Sequence, residues 1–235
     1  RERNPGCALV QPVYHSISYH PAIGAPVVCS VADDDPTGKL IIFRQPDDKM
    51  EYIVACDASR GEVEDDWQVI QVLCRDSLEQ VAVYRGHDDP DELAFVLGGL
   101  GLFYNRALVV VEDAKEGGRV LTILRREIKY PFLYRHRDMT AATVRPSASI
   151  GWQTDQKSKP EMFSAIAAAL RDDMLYVYDW VTYQELRTVE YRSGIRSAKI
   201  GAPHGMHDDH AMALGMALVV ATDETLHLQG RSANV

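Results

Sequence analysis

The sequence predicts an α/β fold: a mixed central sheet, an antiparallel meander followed by parallel strands, with helices on both faces. Three observations predict it. Strand-like apolar runs follow one another closely from Tyr52 to Tyr84. Helical spacing replaces them from Pro90. The two patterns then alternate to the last apolar stretch, Met212 to Ala221.

Taken in order, Tyr52-Ile53-Val54-Ala55-Cys56 is a buried-strand run ending in Asp57, Trp67 to Cys74 is a second strand, and Gln80 to Tyr84 is a third. Ala58 to Asp66, with Gly61 and four acids, is a turn. Pro90-Asp91-Glu92 opens a helix whose acids suit the positive end of its dipole, and Leu93, Val96, Leu97, Leu100 and Tyr104 supply its spacing. Ala107 to Val111 is a strand ending in Glu112. Gly117 and Gly118 then allow a tight turn into a helix through Val120, Ile123 and Leu124. Phe132-Leu133-Tyr134 and Leu175-Tyr176-Val177 are short strands. Helices are expected from Pro160, over Thr182 to Val189, and from Asp208-Asp209. Residues 1–50, with six prolines, are expected to form a linker or arm beside a main domain at 51–235; short strands are expected at Val27–Val31 and Lys39–Arg44.

Composition narrows the function. The longest strongly apolar run is about half of the roughly 20 residues that span a bilayer, so no membrane role is expected. Cys7, Cys29, Cys56 and Cys74 form no CxxC pair, so zinc spacing is absent and a reduced compartment is the default. Cys56 and Cys74 are expected to be small buried hydrophobes. No GxSxG and no GxxxxGK[ST] occurs, so there is no ATP site in this chain. The net charge of -9 argues against nonspecific coating of nucleic acid. It is unevenly spread: residues 51–118 hold 15 acids and 5 bases, whereas 119–200 hold 14 bases and 9 acids.

Three acidic positions stand at element ends: Asp57, Glu112 and the pair Asp208-Asp209. Neighbouring strands would bring Asp57 and Glu112 to one sheet edge, and a helix N-terminus packed there would add a third carboxylate. Two like charges about 4 Å apart repel by roughly 4 kcal/mol at an effective dielectric of 20, so protons or divalent cations must relieve such a cluster. Oxygen-only donors favour Mg²⁺ or Mn²⁺ over zinc. Each acid also has an ordinary role: Asp57 as a turn cap, Glu112 as a partner of Arg119 or Lys115, Asp208 or Asp209 as a helix N-cap. His204, His207 and His210 are spaced by three, but Gly205 interrupts them and no HExxH occurs. His207 is expected beside the metal ligands or facing DNA.

Read together, these segments resemble the C-terminal nuclease domain of the large terminase subunit of tailed phages. The resemblance runs over roughly residues 38–222. Gly38 to Ile42, then Tyr52 to Asp57 followed by Gly61 and Asp66, is similar to the family's entry strand and first aspartate. Val109-Val110-Val111-Glu112 with Gly117 is similar to its glutamate motif, with Asp113-Ala114 where the family often has Arg-Asn. Gly151-Trp152-Gln153-Thr154 with Lys157, Lys159 and Pro160, Gln184-Glu185-Leu186, and Gly205-Met206-His207-Asp208-Asp209 complete the ordered set.

The resemblance implies an RNase H-like fold and cleavage of concatemeric double-stranded DNA with two Mg²⁺ or Mn²⁺ ions. Carried over, Asp57, Glu112, Asp208 and Asp209 bind the metals, with Asp66 a weaker candidate. The implied partners are DNA, an N-terminal packaging ATPase domain of the same protein, the portal and the small terminase subunit. The implied location is the host-cell cytoplasm, at the procapsid portal. Arg119, Arg125, Arg126, Lys157, Lys159, Arg192, Arg196 and Lys199 are expected to touch DNA phosphates, the last group from a hairpin near Gly194. Two other readings fit the same residues: a noncatalytic DNA or portal docking module, and a resolvase- or transposase-like nuclease.

Overall fold

The chain's computed structural model describes residues 14–20, 25–30, 38–58, 67–114, 116–137, 146–193, 198–224 and 226. Strands β1 (Tyr14–His20), β2 (Ala25–Ser30) and β3 (Leu40–Ile42) come first. Strands β4 (Tyr52–Asp57), β5 (Gln68–Cys74) and β6 (Gln80–Gly86) form the expected antiparallel meander. Helix α1 (Pro90–Phe103), strand β7 (Leu108–Val111) and helix α2 (Glu116–Arg126) follow. A small ladder of β8 (Arg135–Arg137) and β9 (Pro146–Ile150) precedes α3 (Ser158–Arg171) and α4 (Trp180–Thr188). The antiparallel hairpin of β10 (Glu190–Ser193) and β11 (Ala198–Gly201) leads to α5 (Asp209–Thr222).

The main sheet has seven strands in the order β2-β1-β3-β6-β5-β4-β7. β7 is parallel to β4, its neighbour, and α1 carries the chain from β6 across to it. Strand β1, His15 and Ile17 included, lies where the sequence reading gives no strand: YHSISYH offers few aliphatics, and pairing with β2 and β3 builds it instead. Phe132-Leu133-Tyr134 and Leu175-Tyr176-Val177, expected as strands, make only single bridges, Leu133 to Val109 and Tyr176 to Glu79. Each sits where the chain crosses the edge of an element already paired on its other side.

Alternation along the central strands divides the core in two. Tyr52, Val54 and Cys56 of β4, with Val109 and Val111 of β7, pack under α1 and α2. Ile53 and Ala55, with Leu108 and Val110, pack under α3 and α5. Helices therefore cover both faces, as predicted. α5 is buried along nearly its whole length, laid across β4 and β5 and covered by α3 and α4. Cys56 and Cys74 are buried free thiols, as expected of small hydrophobes.

Two glycines are fixed by close approach. A Cβ at Gly117 would stand 1.8 Å from the Glu112 carbonyl oxygen. Gly117 thus lies inside the first turn of α2, packed on the end of β7, rather than in a turn before the helix. Gly151 has φ +100, a region that favours glycine, and a Cβ there would meet the Val111 carbonyl oxygen at 3.0 Å. It lets Trp152 run beside β7, with the Trp152 amide donating to Val111 at 2.7 Å and the Asp113 amide donating to Trp152 at 2.7 Å.

Candidate metal centre

Asp57 is the last residue of β4, and Glu112 follows the last residue of β7. Cys56 pairs with Val111, and the Glu112 amide donates to the Cys56 carbonyl at 3.1 Å, so both acids leave adjacent parallel strands side by side. The period of two sets their direction. Ile53 and Ala55, like Leu108 and Val110, face α5; Asp57 and Glu112 continue those two series.

The other two acids come from the N-terminus of α5. Asp208 holds the N-cap position, yet its side chain makes no capping bond. The exposed helix amides are met by α4 instead. Glu185 Oε2 accepts from the amides of His210 (2.7 Å) and Ala211 (3.2 Å), and Oε1 accepts from the His210 ring Nδ1 at 2.7 Å. A carboxylate only accepts, which assigns the proton to Nδ1. With the amides met in this way, Asp208 Oδ2 accepts from Lys159 Nζ at 2.9 Å and from the Ala202 amide at 3.4 Å. Asp209 is buried; its Oδ2 accepts from the Trp67 amide at 2.9 Å, and the His207 ring Nδ1 stands 3.6 Å away.

Electrostatics ties the four acids into one centre. Asp57 is pushed well above the ordinary carboxylate range, first by burial, then by Glu112, Asp209 and Asp208 in that order; Lys159 opposes them. A neighbouring thiol reports the same field: Cys56 is also pushed up, by burial and then by Asp57 and Glu112.

Among the described residues, no group of three or more His, Cys, Asp or Glu side chains is arranged to hold a metal ion as it stands. Lys159 pairs with Asp208, and the Trp67 amide donates to Asp209. The donor chemistry nevertheless fits a hard divalent cation. The convergent donors are carboxylate oxygens, and a cation would offset both the burial that first raises Asp57 and the neighbouring acids that raise it further.

The other expected site residues divide by location. Asp66 and Arg196 lie outside the described residues. Arg192 and Lys199 stand opposite one another in the β10–β11 hairpin, which was expected near Gly194. Lys157 is exposed just before α3. Lys159, expected on the DNA surface, lies in the acidic centre. Arg119, Arg125 and Arg126 are exposed on α2, which packs on the face of the sheet opposite α5, and Arg119 pairs with Asp91 at 2.9 Å. His204 and His207 are exposed while His210 is buried, so the three histidines share no site.

Glu185 and the polar layer behind it have no role in the sequence reading beyond the Glu-Leu match. Gln80 Nε2 donates to Gln71 Oε1 (2.7 Å), Gln71 Nε2 to Thr182 Oγ1 (2.9 Å), and Thr182 Oγ1 to Asp179 Oδ2 (2.7 Å). This buried chain fastens α4, and through Glu185 the end of α5. Its signal in the sequence is Gln71 and Gln80, polar residues set among the apolar runs of β5 and β6.

No protein-family model and no curated protein matches the sequence. Solved structures do match. The large terminase nuclease from thermophilic phage G20c with bound magnesium superposes with a TM-score of 0.64 at 17% identity, covering 79% of this chain and 89% of that one. The same nuclease with bound cobalt gives 0.63 at 18% identity, with the same coverage. The large terminase nuclease domain of Thermus phage P74-26 gives 0.58 at 19% identity, covering 78% and 86%. The chain has the fold of these large terminase nucleases, the RNase H-like arrangement expected from its sequence.

Proposed function

We propose that the chain is the metal-dependent endonuclease domain of a phage large terminase subunit, cutting concatemeric double-stranded DNA during genome packaging. The observation that carries this is the convergence of Asp57, Glu112, Asp208 and Asp209 at the ends of β4 and β7 and the start of α5. Structures of the same fold with bound magnesium and cobalt support it.

In this reading the four carboxylates hold two Mg²⁺ or Mn²⁺ ions, which supply Lewis acidity and an activated water for phosphodiester hydrolysis. The protein's own contribution is placement. The β4–β7 register fixes Asp57 beside Glu112, and Glu185 fixes the helix end that carries Asp208 and Asp209. The exposed Lys157 and the hairpin strands that carry Arg192 and Lys199 adjoin this face and bind phosphates with little base reading, and Arg196 is assigned the same role from the sequence. The α2 arginines, on the opposite face, stand away from the duplex held there. An N-terminal ATPase domain of the same protein, the portal and the small terminase subunit complete the packaging machine in the host cell.

The test is plasmid cleavage with Mn²⁺ or Mg²⁺. Asp57→Ala and Glu112→Ala should each abolish it, and undiminished cleavage by either purified variant refutes the reading. The Lys159–Asp208 ion pair favours a second reading, a noncatalytic DNA-docking module whose acids are neutralised internally. That module binds DNA equally with EDTA or Mn²⁺ and leaves the plasmid intact.

A further inference from the structure

Lys159 is the second residue of α3, and its side chain turns into the acidic centre. Its ammonium is 2.9 Å from Asp208 Oδ2, with side-chain exposures of 26% and 21% for Lys159 and Asp208. The pair is thus shielded without being sealed. Three elements meet on it. Besides α3 and the N-terminus of α5, the base of the β10–β11 hairpin packs there: a Cβ at Gly201 would stand 2.9 Å from Asp208 Oδ2 and 3.4 Å from Lys159 Nζ. One turn along α3, the Phe163 ring centroid lies 6.0 Å from Nζ.

Counting charge shows what this lysine does. Fully ionised, Asp57, Glu112, Asp208 and Asp209 carry four negative charges, and Lys159 returns one. Without divalent ions the ammonium is a favourable tenant. Two divalent ions would supply four positive charges and leave it surplus beside them. It would then be repelled from Asp208 while tethered at the mouth of the centre, where a DNA phosphate must approach.

We propose that Lys159 is an exchangeable counter-ion: it pairs with Asp208 while divalent cations are absent, and transfers to a DNA phosphate when they bind. This rests on reading the four carboxylates as cation ligands. It gives Lys159 two partners in turn, and makes it a competitor of the metal rather than a helper in recruiting it.

The experiment is Mn²⁺ titration by calorimetry of the wild-type chain, Asp57→Ala, Lys159→Gln and Lys159→Arg, each checked for folding by thermal melt. Loss of Mn²⁺ binding in Asp57→Ala establishes the cation site itself. Lys159→Gln should then bind Mn²⁺ roughly three- to tenfold more tightly than wild type, as expected for removing a half-shielded ion pair. Lys159→Arg should stay close to wild type. DNA affinity by anisotropy should fall by a similar factor in Lys159→Gln with Ca²⁺ present, and stay unchanged in EDTA. Mn²⁺ affinity in Lys159→Gln that is unchanged or weaker overturns the exchange while leaving the nuclease reading intact. Equal Mn²⁺ binding by wild type and Asp57→Ala overturns both.

Discussion

Glu185 grips His210 twice, with one carboxylate oxygen on the backbone amide and the other on ring Nδ1, each at 2.7 Å. This contact between α4 and α5 caps the helix that carries Asp208 and Asp209, so that neither acid has to cap it.

Breaking that grip should cost stability and the site together. Glu185→Ala removes charge-assisted bonds to buried donors and should destabilise the fold by about 3 kcal/mol. For a chain of this size that is a fall in Tm of roughly 10 °C. Glu185→Gln, whose amide oxygen still accepts, should recover part of the Tm. Melting curves of the two variants check this; a common Tm with wild type would show that α5 is held by other means.

Asp57 sets function against stability. Its carboxyl is raised in the folded chain by burial and by Glu112, Asp209 and Asp208, so the native state binds its proton more tightly than the unfolded state. Stability must therefore fall as pH rises from the ordinary carboxylate range through the raised native value, by about 1.4 kcal/mol for each unit between them. Asp57→Asn, isosteric and uncharged, should melt higher than wild type in EDTA at pH 8, and the gap should close near pH 4. The same variant should lose plasmid cleavage. A gap that stays constant from pH 4 to 8 would contradict the electrostatic origin.

Gly117 and Gly118 are adjacent and should respond oppositely. At Gly117 a methyl would collide with the Glu112 carbonyl, which is backbone and can yield only if β7 and α2 part. Gly117→Ala should destabilise by about 3 kcal/mol and suppress cleavage by misplacing Glu112. At Gly118 a Cβ finds its nearest neighbour, Asp113 Oδ1, at an ordinary 3.4 Å. Gly118→Ala should be neutral or stabilise by about 0.5–1 kcal/mol through helix propensity. Denaturant titrations of both distinguish a packing glycine from a turn glycine.

DNA binding should separate the hairpin from α2. Arg192→Ala with Lys199→Ala should weaken binding uniformly across sequences and reduce the salt slope by about 2 in magnitude. Arg119→Ala should change affinity by less than twofold, because that guanidinium is already engaged by Asp91. Anisotropy from 50 to 300 mM salt provides the comparison.

The sequence made the scaffold and the acids legible to different depths. β4, β5, β6, β7 and α5 were readable because apolar runs of the right length are bounded by acids, prolines or glycines. Asp57 and Glu112 could be placed at strand ends, but their adjacency remained a condition, because the chain passes through β5, β6 and α1 between β4 and β7 and local pattern does not say which strand β7 joins. Lys159 could not be placed, since its partner is 49 residues away and nothing local separates a lysine facing DNA from one facing Asp208. The ordinary alternative for Asp208, a side-chain N-cap, is not taken up for a related reason: Glu185, 25 residues from His210, accepts from the helix amides instead. Strand β1 was hidden by a polar sequence that only its neighbours make extended.

The division of the core into two faces makes strand length, more than strand composition, the quantity that mutation must respect. Aliphatic exchanges within Ile53–Cys56 preserve which way each residue looks. Deleting a single codon there reverses the relation between Asp57 and the residues before it, so that either the core or the acid is turned to the wrong side. Among natural variants of this chain, substitutions in that segment should be common and single-residue gaps should be missing.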